Sequence, residues 1–165
     1  MYGDEKRADT IISTAVFAAL ITVGGWLSIP VFAVPITFQP LFVILASAFM
    51  KERAVLPVSL YVTAGLIGLP VFHNGAAGVG VLFGPTGGFI LGFIPAVLAA
   101  GFLFGKKMDV TAVISAILIT DICGMLWFMI TADASLPAAF VACVLPYIPG
   151  DIIKGAVAVA ASKRL

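Results

Sequence analysis

The apolar positions of this chain fall in six blocks, residues 11–31, 40–50, 54–72, 87–104, 110–130 and 136–161, separated by short polar or glycine-rich breaks. Within a block nearly every position is apolar, so no helix presents a polar face to water. A helix that is hydrophobic all round is buried in protein or in lipid. A membrane-spanning helix needs about 20 mostly apolar residues. The second block is short by that measure; it either extends upstream through "VPITFQ" or is broken there. The pattern predicts an all-α polytopic membrane protein with six transmembrane helices, forming a single membrane domain over residues 1–165.

Composition supports this class. Hydrophobic residues make up 62% of the chain and charged residues only 10%, against about 25% charged in soluble domains. The formal net charge is +1, with no basic tract, which argues against nucleic acid as a partner. Cys123 and Cys143 both lie in apolar blocks and form no CxxC pair, so neither a metal site nor a disulfide framework is indicated. The apolar run after "MYGDEKRADT" is longer than the roughly 7–15 residues of a signal-peptide core, so it reads as a retained first span.

Lys and Arg set the orientation. They occur before block one (Lys6, Arg7), between two and three (Lys51, Arg53), between four and five (Lys106, Lys107) and after six (Lys163, Arg164). The alternate connections, around Pro35, Asn74 and Asp133, have none. Cytoplasmic loops are enriched in Lys and Arg. Both termini are therefore expected in the cytoplasm, with the glycine-rich stretch "PVFHNGAAGVGVLFGPTGG" facing outward as a folded lid.

Three ionisable residues interrupt the apolar blocks: Asp121, Asp151 and Lys154. Charge inside a membrane segment is costly and by default marks a functional site. Asp151 and Lys154 stand at i and i+3, on one helix face. Pro149 suits a first helical turn, so Asp151 is expected near a helix N-terminus, where the dipole favours an anion. Block six would then be a broken helix, a device that builds solute sites at membrane depth. Further candidates lie in the outward connections. Thr37, Gln39, His73, Asn74 and Thr86 offer hydrogen bonds, and Trp26, Phe72, Phe83 and Trp127 offer apolar walls.

Three stretches in this order, "VPITFQPLFVILASAFM", "LIGLPVFHNGAAGVGVLFGPTGGFILGF" and "PYIPGDIIKGAVA", resemble the BioY family, the biotin-specific substrate-binding subunits of energy-coupling-factor transporters. The resemblance implies six membrane helices and a high-affinity biotin site toward the outer face. It assigns Thr37 and Gln39, the loop from Asn74 to Thr86, and Asp151 with Lys154 to ligand binding, with Phe72 and Phe83 as candidate walls. It implies no cofactor, a cell-membrane location among lipids, and as partners a transmembrane coupling subunit and two ATPase subunits. Ala15 and Ala19 resemble the face on which such subunits dock, since small residues four apart let helices approach closely. Asp121 departs from the family pattern, which carries an aromatic near that position, and its role stays open.

Two other readings stand beside this one. A membrane enzyme would draw on Asp121 and Asp151, yet the chain has no HExxH, GxSxG or nucleophile–base pair. A stand-alone secondary carrier for another small organic solute would use Asp151 as a proton site. The chain has no GxxxxGK[ST] phosphate loop, so energised uptake requires ATPases supplied in trans.

Overall fold

The computed structural model describes residues 2–30 and 34–164, with side chains from Glu5 onward. Helix α1 spans Tyr2–Trp26 and is followed by a two-residue hairpin, β1 (Ser28–Ile29) with β2 (Ile36–Thr37). The strands are antiparallel, with Ser28 opposite Thr37. Helix α2 (Gln39–Met50) runs through a short 3₁₀ turn into α3 (Val55–Leu66). A long connection holding the short helix α4 (Val79–Phe83) leads to α5 (Gly87–Gly105) and α6 (Asp109–Thr131). Helices α7 (Leu136–Cys143) and α8 (Ile148–Ser162) close the chain.

The blocks map onto these helices with informative differences. Block one starts earlier, at Tyr2, and its helix stops at Trp26; its last residue, 31, lies outside the described residues. Block two is broken rather than extended: "PITF" forms the hairpin edge, and Pro40 sits in the first turn of α2, where its missing N–H costs nothing. Block three leaves the helix after Leu66, where Gly68 takes a positive φ of 99°. Block six is two helices bent by 54°. The bend follows from Pro146 and Pro149, which withhold backbone donors where the two helices meet.

Among the described residues, α1, α5 and α6 are long and apolar enough to cross a membrane, and the bent α7–α8 pair makes a fourth such unit. Helices α2 and α3 have 12 residues each, about 18 Å at 1.5 Å per residue, against a hydrocarbon layer of about 30 Å. Along α6 the exposed residues Ile114, Leu118, Ile122 and Leu126 recur every fourth position, which places one apolar stripe outward. The opposite face, with Ala112, Val113, Ala116 and Gly124, is small and buried.

That small face packs on α5 at close range. A Cβ on Gly88 would meet Trp127 Cβ and lie 2.6 Å from the Cys123 carbonyl oxygen, and one on Gly92 would lie 2.8 Å from Cys123 Cβ. Two glycines one turn apart let the backbones approach as no larger residue would. Basic residues gather at one end of the bundle. Lys6, Lys51, Arg53 and Gly105 border one surface depression, Arg53 Nη1 donates to Thr10 Oγ1 at 2.9 Å, and Ser162 Oγ donates to Asp109 at 3.0 Å.

Candidate functional site

At the opposite end the helices line a partly open, mostly apolar cavity. Elements from the hairpin through to α8, but not α3, α4 or α7, contribute to it. The hairpin and α2 contribute Thr37 and Gln39; the connection between α3 and α5 His73 and Thr86; α5 Phe89, Ile90 and Phe93; α6 Ile117, Thr120 and Asp121; and the bend with α8 Tyr147, Asp151 and Lys154.

The charged pair sits where the broken helix restarts. Asp151 lies in the first turn of α8, and Lys154 Nζ donates to its Oδ1 at 3.0 Å. Both residues are only 8% exposed. The pair is therefore a desolvated one, held on a single helix face by its i,i+3 spacing. Tyr147 caps the bend, its hydroxyl donating to the Val34 carbonyl, which ties α8 to the hairpin over 113 positions of sequence. Gln39, 3% exposed, donates its side-chain amide to the Tyr61 hydroxyl, leaving its carbonyl oxygen as the group available for other donors.

Asp121 approaches the same space from α6, close enough to interact electrostatically with both Asp151 and Lys154. It makes no hydrogen bond or ion pair among the described residues. Its half-exposed carboxyl also borders an apolar groove between α6 and α8.

The connection between α3 and α5 is folded by several ties. Trp26 Nε1 donates to the Pro70 carbonyl at 2.9 Å, and Trp127 Nε1 to the Gly84 carbonyl at 3.1 Å. Gly78 N–H donates to the Gly65 carbonyl at 2.7 Å. His73 Nε2 pairs with Thr86 Oγ1 at 2.9 Å, closing the loop over the cavity mouth. Burial pushes the His73 imidazole below its ordinary pKa, since a desolvated ring disfavours the cation.

Thr37, Gln39, His73, Thr86, Asp151 and Lys154 thus come together on one cavity, while Trp26, Phe72, Asn74, Phe83 and Trp127, also singled out in the sequence, do not line it. Phe72 is fully buried and stacks edge-on to Tyr61 with ring centroids 5.4 Å apart, in space that a side chain at Gly65 would occupy. Phe83 is 70% exposed and does not line the cavity. Asn74 is exposed and accepts a hydrogen bond from Ser28 Oγ. The apolar walls come instead from Phe89, Ile90, Phe93 and Ile117, and the polar wall gains Thr120 and Tyr147. Phe89 lies against Gly124 of α6, where a Cβ would collide with its ring. Ala15 and Ala19 lie exposed on the outer side of α1.

The BioY family model matches residues 3–165. A probable biotin transporter BioY from Pyrococcus horikoshii is 34% identical over 160 residues, covering 96% of this chain and 97% of that one. The biotin transporter BioY of Rhodobacter capsulatus is 36% identical over 168 residues, covering 90% and 87%. A crystal structure of the S-component for biotin from an ECF-type ABC transporter superposes with a TM-score of 0.87 at 26% identity, covering 97% of this chain and 92% of that one. Family model, full-length relatives and shared polytopic membrane fold agree: the chain belongs to the BioY family.

Proposed function

We propose that this protein is the biotin-capturing subunit of a vitamin uptake transporter, residues 1–165 acting as a single membrane domain that crosses the cell membrane six times with both termini inside. The observation that carries this reading is the cavity itself, partly open and mostly apolar, with a desolvated Asp151–Lys154 pair at one wall and Gln39, Thr37 and Thr86 around it. Biotin presents two ureido N–H donors, a ureido carbonyl and a carboxylate on an apolar bicycle and chain. Asp151 accepts from an N–H, Lys154 donates to a carbonyl and balances Asp151, and the Phe89–Phe93 wall takes the apolar parts. Concave apolar sites with a few placed polar groups are the usual form of small-molecule recognition.

This work is binding and transport rather than catalysis. Energised uptake runs through a transmembrane coupling subunit and two ATPase subunits. The deciding experiment is calorimetry on the purified chain in detergent, without ATP or metal. Tight binding of biotin, and of no other vitamin in a panel, is expected. Folded protein that gives no heat at micromolar biotin sinks the reading in favour of a carrier for another solute.

Docking of the coupling subunit is placed on α1. Ala15 and Ala19 are exposed one turn apart, and a larger side chain there holds a partner helix away. Ala15→Leu or Ala19→Leu is expected to leave biotin binding intact and to lower ATP-dependent accumulation in the assembled transporter. Undiminished accumulation moves the docking face elsewhere.

A further inference from the structure

The charges around the cavity do not cancel. Two carboxyls, Asp121 and Asp151, face one ammonium, Lys154. Lys154 is committed to Asp151 at 3.0 Å, and Asp121 makes no hydrogen bond or ion pair among the described residues. Lys163, nine positions after Lys154 and just past the end of α8, borders the outer groove with Asp121, but the charges that act on Asp121 are Asp151 and Lys154. The remaining titratable groups nearby are not cations. Tyr147 leads into α8, Cys143 ends α7, Cys123 lies on α6, and Tyr61 stands behind Gln39 on α3. His73, on the connection between α3 and α5, is held toward its neutral form by burial. Asp121 lies 12 positions into the 23-residue helix α6, about 18 Å from its start, so bulk water at either membrane face is distant.

The ligand proposed above is itself an anion at neutral pH. With both carboxyls ionised, the occupied cavity would hold two uncompensated negative charges in a low-dielectric setting, where like charges strongly favour protonation of one member. Asp151 has its cation in contact, Lys154 at 3.0 Å, and Asp121 has none among the described residues. We propose that Asp121 carries a proton in the ligand complex, so that biotin and a proton bind together. A protonated carboxyl offers one O–H donor and retains an acceptor, which gives the ligand a neutral partner from α6 opposite the charged pair on α8. Asp121 thereby sets the preference of the site for an anionic ligand. This inference rests on the biotin reading of the cavity.

The test is biotin titration of the full chain in lipid nanodiscs from mildly acid to mildly alkaline pH, with calorimetry in buffers of different ionisation enthalpy to count protons. Linkage of one proton raises Kd toward tenfold per pH unit once free Asp121 is ionised. The wild-type chain is expected to show that slope with proton uptake at the alkaline end. D121N, which cannot ionise, is expected to show a flat profile and no uptake. The same slope and uptake in D121N, or no uptake by the wild type at any pH, overturns the proposal. If D121N does not fold, infrared difference spectra of the wild type with labelled aspartate decide. A protonated carboxyl band in the biotin complex supports the inference, and its absence overturns it. Failure of biotin to bind at any pH defeats the reading of the cavity, and this inference with it, whereas a pH-independent affinity defeats this inference alone.

Discussion

K154M is expected to lose both stability and biotin binding, while D151N/K154M recovers stability without recovering the ligand. Lys154 and Asp151 are each 8% exposed and bonded at 3.0 Å. Removing the cation strands a desolvated carboxylate beside a second carboxyl, Asp121. Breaking a buried pair from one side costs about 3–5 kcal/mol, whereas neutralising both partners is often close to neutral. The double variant therefore relieves the stranded charge. It still lacks the charge-assisted bonds proposed for the ligand, worth about 1.5–3 kcal/mol each, or roughly 10- to 150-fold in affinity. Thermal denaturation and calorimetry on the two variants separate these effects. D133N is the reference, because Asp133 is exposed beyond the end of α6. If K154M and D133N bind biotin equally, the pair is not in the site.

Gly88→Ala is expected to lower the melting temperature and to weaken biotin binding together. The new methyl group would press on Trp127 Cβ and on the Cys123 carbonyl oxygen, 2.6 Å away. A carbonyl within a packed helix cannot swing aside, so α5 and α6 must separate. Overpacking of this kind costs about 1–3 kcal/mol, which at about 2–4 °C per kcal/mol for a chain of this size lowers the midpoint by about 2–12 °C. Because Phe89 and Phe93 on α5 face Ile117, Thr120 and Asp121 on α6 across the cavity, the separation also widens the site. Gly105→Ala is the control, since nothing lies within 4 Å of the added atom. Equal behaviour of the two variants would mean that the helix contact is softer than its geometry implies.

What the sequence reveals about the site depends on how tightly local spacing constrains it. Asp151 and Lys154 share a helix face by their i,i+3 separation alone, and the prolines before them announce the break that sets Asp151 at a helix start. Thr37 and Gln39 stand just before Pro40, the proline that fixes where α2 begins. The connection between α3 and α5 has no such periodicity. Whether Phe72 or Phe83 turns inward is decided by a distant vacancy, the missing side chain of Gly65, which Phe72 fills. Phe89, Thr120 and Tyr147 are hidden for a different reason. Their helices are apolar on every side, so hydrophobic pattern does not separate the face toward the cavity from the face toward lipid. The long helices α1, α5 and α6 are plain in the apolar blocks, whereas the 12-residue helices α2 and α3 fall short of the length by which a span is recognised.

The bend between α7 and α8 bears on how the protein is made. Helix α8 is 15 residues long and carries Asp151 and Lys154 in its first half. On insertion scales each such residue costs about 2.5–3.5 kcal/mol at the centre of a membrane helix, so α8 is a poor candidate for entering lipid alone. It is synthesised after α2, α5 and α6, which precede it in the chain. Those helices offer the polar interior that receives the pair, and the Tyr147 hydroxyl finds its acceptor on Val34, made 113 residues earlier. The cavity is therefore incomplete until α8 arrives. Insertion of that helix and completion of the cavity are a single event, and quality control that senses an unaccommodated α8 senses an unfinished cavity as well.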